Sequence, residues 1–290
     1  MRALLTALFA LAVAAAGSCS PRAPAGEPAI WRIADADSEI WLYGTVHLLP
    51  PDLQWRGPEF ETAFGAAEEL VTETDASDTS IARLSQELGA LPAGETLAAR
   101  LSGDNAQRLD RAARRLGVDP AALQRQRPWL AALQLSYAAA VRAGHRPEAG
   151  VEAVLTPQAR ARGMRVSYLE TPEQQVRILA SLTPADEMRF LLLTLDDVDE
   201  GAQALTLMDE AWARGDVEAL EALLEPQWRN AGPAIHDAII LERNRAWADA
   251  IEARLAGSGR IFVAVGAAHL VGDGNVVDLL RERGITVEGP

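Results

Sequence analysis

Short runs in which apolar residues alternate with polar ones, or stand in a row, occur near both ends of the chain and predict β-strands. Two of these runs flank a turn at residues 34–37, so we expect the N-terminal pair to form a hairpin. Gly44 ends the second run. The predicted strands comprise residues 29–33, 39–43, 69–73, 165–169, 260–265 and 285–287.

Apolar residues at helical spacing fill the chain between these strands, and several helix starts carry cap signals. Pro58 and Pro120 stand at expected first helical positions, and Thr171 and Thr183 each precede such a proline as N-caps. Strands at both ends can bury their apolar faces only by sharing one sheet with helices packed on it. The sequence therefore predicts an α/β fold, with a central mixed sheet flanked by helices and a large helical insertion between the N- and C-terminal strands.

Residues 1–28 predict export from the cytoplasm and a lipid anchor. Residues 1–18 combine one charge, Arg2, with an apolar run that ends in small residues, as is typical of a signal peptide, and this run is too short to span a bilayer. Cys19 follows Ala-Gly-Ser, as the cysteine of a bacterial lipobox does, so we expect it to be lipidated. The alternative is ordinary cleavage that leaves Cys19 as a free thiol.

These signals divide the chain into a signal peptide at 1–18, an anchor cysteine with a Pro-rich tether at 19–28, and one domain at 29–290. We expect the protein in the cell envelope, on the periplasmic side of the outer membrane if the cell is Gram-negative. Since no later segment is long and apolar enough to cross a bilayer, the lipid would be the only membrane contact.

The composition narrows the chemistry that the domain can perform. The formal net charge of −14 for the whole chain argues against a nucleic-acid partner, because an acidic surface repels phosphates. The chain has no lysine, and Cys19 is its only cysteine. Schiff bases, Walker-type phosphate loops, catalytic thiols, thiolate metal sites and internal disulfides are thereby excluded.

One short pattern, Gly-x-x-His-Leu, follows a predicted strand twice, with its histidine at His47 in the first copy and at His269 in the second. Glycine at a strand exit permits a sharp turn, and the histidine is then held at the rim of the sheet, where open α/β sheets bind ligands. Glu73 and Glu170 end two other predicted strands. Two imidazoles and a carboxylate would suit a divalent transition metal, whereas the simpler alternative is that each histidine caps a turn.

Other candidates have simple structural explanations. Glu170 opens a helix, where a carboxylate ordinarily stabilises the helix dipole. Arg243 stands in a predicted helix, where an arginine is commonly solvated. His145 lies in a loop between Gly144 and Arg146 and is expected to be exposed.

Several segments, taken together and in this order, resemble the TraB/GumN family. They are the two Gly-x-x-His motifs, residues 64–75, residues 168–174, Arg243-Asn244, and residues 265–284. The resemblance covers roughly residues 29–290 and implies a central sheet flanked by helices, with both histidines and an acidic residue in one cleft. The family is related to the Tiki proteins, which are membrane-tethered metal-dependent proteases, and more distantly to erythromycin-esterase-like hydrolases.

In this resemblance His47 and His269 match the two motif histidines, Glu73 the acidic residue, and Arg243-Asn244 a polar pair, and their chemistry suggests a role for each. An ion such as manganese, cobalt or zinc would be bound by His47, His269 and Glu73. The ion would activate a water, and a nearby carboxylate, Glu73 if it is not a ligand or else Glu170, would take the proton. Arg243 would stabilise the oxyanion, and Asn244 would contact the substrate.

We therefore expect a metal-dependent hydrolase of the cell envelope, and among hydrolases a peptidase, acting on a peptide or a small molecule. One alternative is a tethered binding protein that uses the same cleft without turnover. Another is a metal-independent esterase that acts on a small molecule through a histidine-activated water.

Overall fold

Five strands form one mixed sheet in the computed structural model, which describes residues 26–290. The predictions for the signal peptide and for Cys19 lie outside the described residues. The sheet order is β1-β2-β5-β3-β4, with β1 antiparallel to β2 and every other neighbouring pair parallel. The strands are β1 (Ile30–Ala34), β2 (Ser38–Thr45), β3 (Glu69–Thr72), β4 (Arg165–Tyr168) and β5 (Gly259–Gly266).

The central strands are apolar almost throughout because helices cover both faces of the sheet. Leu42 of β2 and Val263 of β5 face each other in the parallel register, and both are fully buried. The same register places Thr45 opposite Gly266 at the carboxyl ends of the two strands. The two Gly-x-x-His motifs therefore leave the sheet side by side.

Helices account for most of the remaining chain. They are α1 (Pro58–Ala66), α2 (Ser80–Leu88), α3 (Gly103–Leu116), α4 (Pro120–Leu123), α5 (Pro128–Arg142), α6 (Val151–Ala161), α7 (Pro172–Ala180), α8 (Pro184–Glu200), α9 (Gln203–Ala213), α10 (Val217–Ala231), α11 (Pro233–His236), α12 (Glu242–Leu255) and α13 (Val276–Glu282). A π-helical turn, Asp237–Leu241, joins α11 to α12. Among the described residues, no helix is both long and apolar enough to cross a bilayer.

The cap signals act as the sequence predicts. Thr171 accepts a hydrogen bond from the backbone N–H of Gln174, whose side chain accepts one from the Thr171 backbone, so α7 begins with a complete capping box. Thr183 caps α8 in the same way through the backbone N–H of Asp186. Each cap satisfies a backbone donor that a helix start leaves free.

Two apolar clusters hold the domain together. The first lies on the sheet and includes Phe60, Phe262 and Trp247. The second lies among the inserted helices and includes Trp129 and Phe190. This arrangement confirms the predicted α/β fold with a helical insertion.

The strand predicted at 285–287 is wrong. The chain meets the outer edge of β1 at a single residue, where Glu288 and Arg32 exchange two backbone hydrogen bonds of 2.8 Å each. Gly289 then takes a φ of 118° and approaches Trp31 closely. Residues 285–287 make no ladder with β1, and one bridged residue does not form a strand.

Candidate functional site

The carboxyl ends of the parallel strands deliver the candidate residues to one edge of the sheet. His47 follows β2, His269 follows β5, Glu73 follows β3 and Glu170 follows β4. The last two segments stay paired beyond the strands, since the Glu170 backbone N–H donates to the Glu73 carbonyl at 2.8 Å. The expected convergence of both histidines with a carboxylate is thus observed.

A cavity of about 80 Å³, called the apolar cavity here, lies at this edge. Its polar lining includes His47, Glu73, Arg243 and His269. Apolar side chains from the helical segments also line it, namely Leu205, Met208, Leu224, Trp228, Ile239 and Ile240. The cavity therefore combines a few charged groups with a largely apolar lining, which is a common composition for a ligand site.

A second cavity of about 70 Å³ shares lining residues with the first and is called the polar cavity here because it is the more polar of the two. Its lining includes Thr74, Glu152 and Gln175. His47 and Glu73 are the only described residues that line both cavities. They therefore form the partition between an apolar and a polar compartment.

Glu73 is buried and accepts three hydrogen bonds. Its Oε1 accepts from the Gly266 backbone N–H at 2.7 Å, and its Oε2 accepts from Arg243 Nη2 at 2.6 Å and from Gln175 Nε2 at 3.2 Å. Burial opposes ionisation, but the charge of Arg243, the two histidines and the Gly266 N–H together outweigh it and lower the pKa of Glu73. A Cβ at Gly266 would lie 3.0 Å from Glu73 Oε1, so glycine keeps this contact open.

Arg243 is the centre of the buried charge network. Its Nη2 donates to Glu73, and its Nε and Nη2 donate to the two carboxylate oxygens of Glu170 at 2.7 and 3.0 Å. Its Nη1 donates to the Ile239 carbonyl at 3.2 Å and contacts His269 Nε2 at 3.0 Å. Since a guanidinium has five N–H groups, these contacts use all of them.

A local helix distortion accompanies the placement of this arginine. The π-helical turn Asp237–Leu241 ends two residues before Arg243, and the Ile239 carbonyl in that turn accepts one of the guanidinium N–H groups. π-Helical turns inside α-helices occur frequently at functional sites. Glu170 also accepts from the Trp247 indole N–H at 3.1 Å, so the network is anchored on α12.

The contacts of His269 define its protonation. Because Arg243 can only donate, His269 Nε2 is an acceptor, and the proton sits on Nδ1, which donates to Asn244 Oδ1 at 2.6 Å. Burial, together with the positive charge of Arg243, lowers the pKa of His269 to about 3. Asn244 in turn donates to the Gly274 carbonyl at 2.8 Å. His269 is therefore neutral and held in one tautomer.

His47 has the opposite character. Its Nδ1 lies 3.0 Å from Glu152 Oε1, which also accepts from the Thr45 hydroxyl. Burial alone would lower the pKa of His47, but the charge and hydrogen bond of Glu152 raise it to about 9. Among residues 26–290, the other ring nitrogen, Nε2, has no hydrogen-bond partner, so a cationic N–H is available.

The loop that carries His47 is fixed by close backbone contacts. A Cβ at Gly150 would lie only 2.0 Å from the His47 carbonyl oxygen, so only glycine fits between this loop and α6. The Val151 backbone N–H donates to the Val46 carbonyl at 3.1 Å. On the other side, the Trp212 indole N–H donates to the Gly44 carbonyl at 2.8 Å. These contacts hold the first Gly-x-x-His motif in place against α6 and α9.

The described arrangement does not fit a three-ligand metal site. Both nitrogens of His269 are engaged, its Nε2 faces the guanidinium of Arg243, and His47 Nε2 carries a proton at neutral pH. Within residues 26–290, no group of three or more His, Cys, Asp or Glu side chains is placed to hold one ion. We derive no chemical step through a metal, and metal binding by His47, His269 and Glu73 stays a prediction.

Two predicted site residues lie behind the cavities rather than in them. Glu170 is absent from the lining of both cavities and is held by Arg243 and Trp247. Burial raises the pKa of Glu170 above its usual range. Asn244 is fully buried between His269 and Gly274. In this arrangement both residues position other groups, and their predicted contacts with proton or substrate stay predictions.

Sequence reasoning missed several polar residues. Glu152 stands in the first turn of α6, where an acid is so common that it attracts no notice. Gln175 looks like an ordinary helical residue. His145 was expected to be exposed, but this is wrong: it is 4% exposed and lies against Asp209, because α9 covers the loop.

Comparison with known protein families identifies the family to which this fold and its paired Gly-x-x-His motifs belong. The model of the TraB/PrgY/gumN family matches residues 29–289, and the chain belongs to this family.

Two relatives match over nearly the whole domain. Both bear the name "Uncharacterized protein YbaP", one from Escherichia coli strain K12 and one from Shigella flexneri. Each is 29% identical to this chain over 256 residues, which cover 88% of this chain and 92% of the relative. No solved structure shows significant similarity to the chain.

Proposed function

We propose that this protein is a hydrolase of amide or ester bonds in the cell envelope, with its reaction centre at the partition between the two cavities. The observation that carries the proposal is that His47 and Glu73 alone, among the described residues, line both the apolar and the polar cavity. A substrate group in one compartment and a water in the other would meet at these two side chains.

The polar cavity suits the attacking water. Its volume of about 70 Å³ exceeds the space that one water needs. Glu152 Oε2 and Thr74 Oγ1 belong to its lining residues, and both atoms are buried without a hydrogen-bond partner in the described part of the chain. A buried water commonly satisfies such atoms.

The side chains supply the proton transfers. Glu73 is ionised, and its Oε1, which accepts a single hydrogen bond, can accept the proton of the water as its oxygen attacks the carbonyl carbon. The N–H of His47 Nε2 would donate to the developing oxyanion. As the tetrahedral intermediate collapses, the bond to the amine or alcohol breaks. The proton taken by Glu73 then goes to the leaving group.

Arg243 has a supporting role in this scheme. With its N–H groups committed to Glu73, Glu170, Ile239 and His269, it keeps Glu73 ionised and holds His269 in place. A metal-dependent reaction would instead require Arg243 to leave His269 Nε2 and His47 to lose its proton.

The test is hydrolysis of a mixed library of short peptides and small esters by the purified protein. Wild type, His47→Gln and Glu73→Gln are compared in chelator and with added manganese, cobalt or zinc. Turnover in chelator that both substitutions reduce by about 100-fold or more supports the proposal. Arg245→Gln, an exposed change on α12, is the matched control and should retain full activity.

Other outcomes separate the alternatives. Turnover that appears only with added ions, and ion binding lost in His47→Ala and His269→Ala, would establish the metal-dependent reaction instead. Tight binding of a library member without cleavage under any of these conditions would contradict the proposal and identify a binding protein.

A further inference from the structure

Three further polar side chains stand among the apolar residues that line the apolar cavity. His145, Asp209 and Gln227 all belong to its lining, and all are buried, with exposed fractions of 4, 7 and 3%. Within residues 26–290, their hydrogen bonds do not involve Arg243, Glu73 or Glu170. Polar groups buried in a largely apolar cavity ordinarily fix the orientation of a ligand.

The hydrogen bonds of these residues are incomplete. His145 Nε2 lies 2.7 Å from Asp209 Oδ2, whereas His145 Nδ1 is buried and has no hydrogen-bond partner within residues 26–290. The Gln227 amide donates to the thioether sulfur of Met208 at 3.9 Å, which is a weak acceptor. A buried polar atom without a partner costs about 1–3 kcal/mol, so a ligand that supplied one would be favoured.

Either protonation state of the pair leaves His145 Nδ1 in need of a partner. If Asp209 is ionised, His145 Nε2–H donates to it and Nδ1 is a free acceptor. If Asp209 is protonated, as burial favours by raising its pKa, its hydroxyl donates to Nε2 and Nδ1–H is a free donor. A hydroxyl group on a ligand serves both cases, because it donates and accepts.

The size of the apolar cavity limits the rest of the ligand. Its volume of about 80 Å³ is roughly half that of an engineered apolar cavity that binds benzene. A short aliphatic chain fits such a space, and a large ring does not.

We infer that His145 is a specificity-determining residue, and that the apolar cavity binds a short aliphatic group of the substrate that carries a neutral hydroxyl or amide hydrogen-bonded to His145 Nδ1. The description of this ligand as substrate rests on the proposed hydrolase function. The binding itself requires no turnover and can be measured separately.

Two nearly isosteric probes, propan-1-ol and 1-chloropropane, test the inference. Their affinities are measured by NMR titration of the indole signals of Trp212 and Trp228, which line the apolar cavity. The variant His145→Gln keeps an amide N–H near Asp209 but lacks a counterpart of Nδ1. The ratio of the two affinities should shift by about three- to tenfold towards 1-chloropropane in this variant, since one neutral hydrogen bond is lost.

The controls keep the inference falsifiable. In the wild type, propan-1-ol should also shift the ¹⁵N resonance of His145 Nδ1 and 1-chloropropane should not, which tests the contact without any substitution. Glu73→Gln should keep the wild-type affinity ratio although hydrolysis is lost, so the two proposals fail separately. An unchanged ratio in His145→Gln, an unmoved Nδ1 resonance, or no binding of either probe would each overturn the inference.

Discussion

Replacing Arg243 by methionine should destabilise the protein strongly. The arginine side chain is 5% exposed and neutralises Glu73 and Glu170, whose side chains are 5 and 10% exposed. Methionine has a similar length but no charge, so it would leave both carboxylates buried beside each other. Breaking a buried ion pair by removing one partner costs roughly 3–5 kcal/mol. This loss is a large part of the roughly 5–15 kcal/mol that typically stabilises a domain.

The pH dependence of this loss has a definite sign. In the wild type the pKa of Glu73 is lowered, so its contribution is present above the ordinary carboxyl pKa and is lost as the pH falls through the lowered value. In Arg243→Met burial is no longer opposed, and the pKa values of Glu73 and Glu170 should both rise. The folded variant then binds protons more readily than the unfolded chain, so its deficit should shrink as the pH falls from about 7.5 to about 5.

Urea unfolding of the variant and the wild type at both pH values measures the effect. Arg245→Met is the matched control, because it makes the same substitution at an exposed position of the same helix and should change stability by less than about 0.5 kcal/mol. A loss below about 1 kcal/mol in Arg243→Met, or an equal loss at both pH values, would refute the description of Arg243 as the counter-charge of two buried carboxylates.

Three further predictions concern the surroundings of His47. Gly150→Ala should lower the free energy of unfolding by more than about 2 kcal/mol, because its Cβ would lie 2.0 Å from the His47 carbonyl oxygen. The control Gly103→Ala, whose Cβ meets nothing within 4 Å, should be nearly neutral, and urea unfolding compares the two variants. Trp212→Phe should lose roughly 1–3 kcal/mol by leaving the Gly44 carbonyl without its donor, and an unchanged unfolding midpoint would contradict this. The raised pKa of His47 contributes stability that is complete below about pH 6.5 and is lost as the pH rises through about 9. His47→Gln should therefore remove roughly 3 kcal/mol of pH-dependent stability over this interval. In urea unfolding, the stability of the variant should vary less with pH than that of the wild type.

Local sequence signals were sufficient for the elements that carry the site. Glycine after an apolar strand marks an exit at Gly44 and at Gly266, and parallel strands bring their carboxyl ends to one edge. The meeting of His47, His269 and Glu73 follows from these two facts. The family resemblance, now confirmed by the match over residues 29–289, pointed to the same residues.

The contacts that set the chemistry of each histidine depend on distant parts of the chain. Nothing near His47 indicates that Glu152, at the start of α6, will hold its Nδ1. The commitment of all five N–H groups of Arg243 depends on Glu170 and on the π-helical turn before α12. Such pairings are decided by helix packing, which periodicity does not encode.

The sequence pattern also did not predict which loops are buried or which edge segments pair with the sheet. His145 follows a glycine and precedes Arg-Pro, which is typical of an exposed loop, yet α9 covers it and places Asp209 against it. The segment 285–287 has the composition of a strand, but its neighbour β1 is met at one residue alone. Tertiary contacts override local preference in both cases.

We expect the candidate site to hold two histidines in opposite states at neutral pH, with His47 charged and His269 neutral. An NMR titration of the imidazoles in the purified protein with chelator present measures both states directly. The expected pKa is about 9 for His47, falling in Glu152→Gln, and about 3 for His269, whose proton resides on Nδ1. A His47 pKa at or below the ordinary value of about 6.5, or a His269 that gains a proton near pH 6, would contradict this expectation.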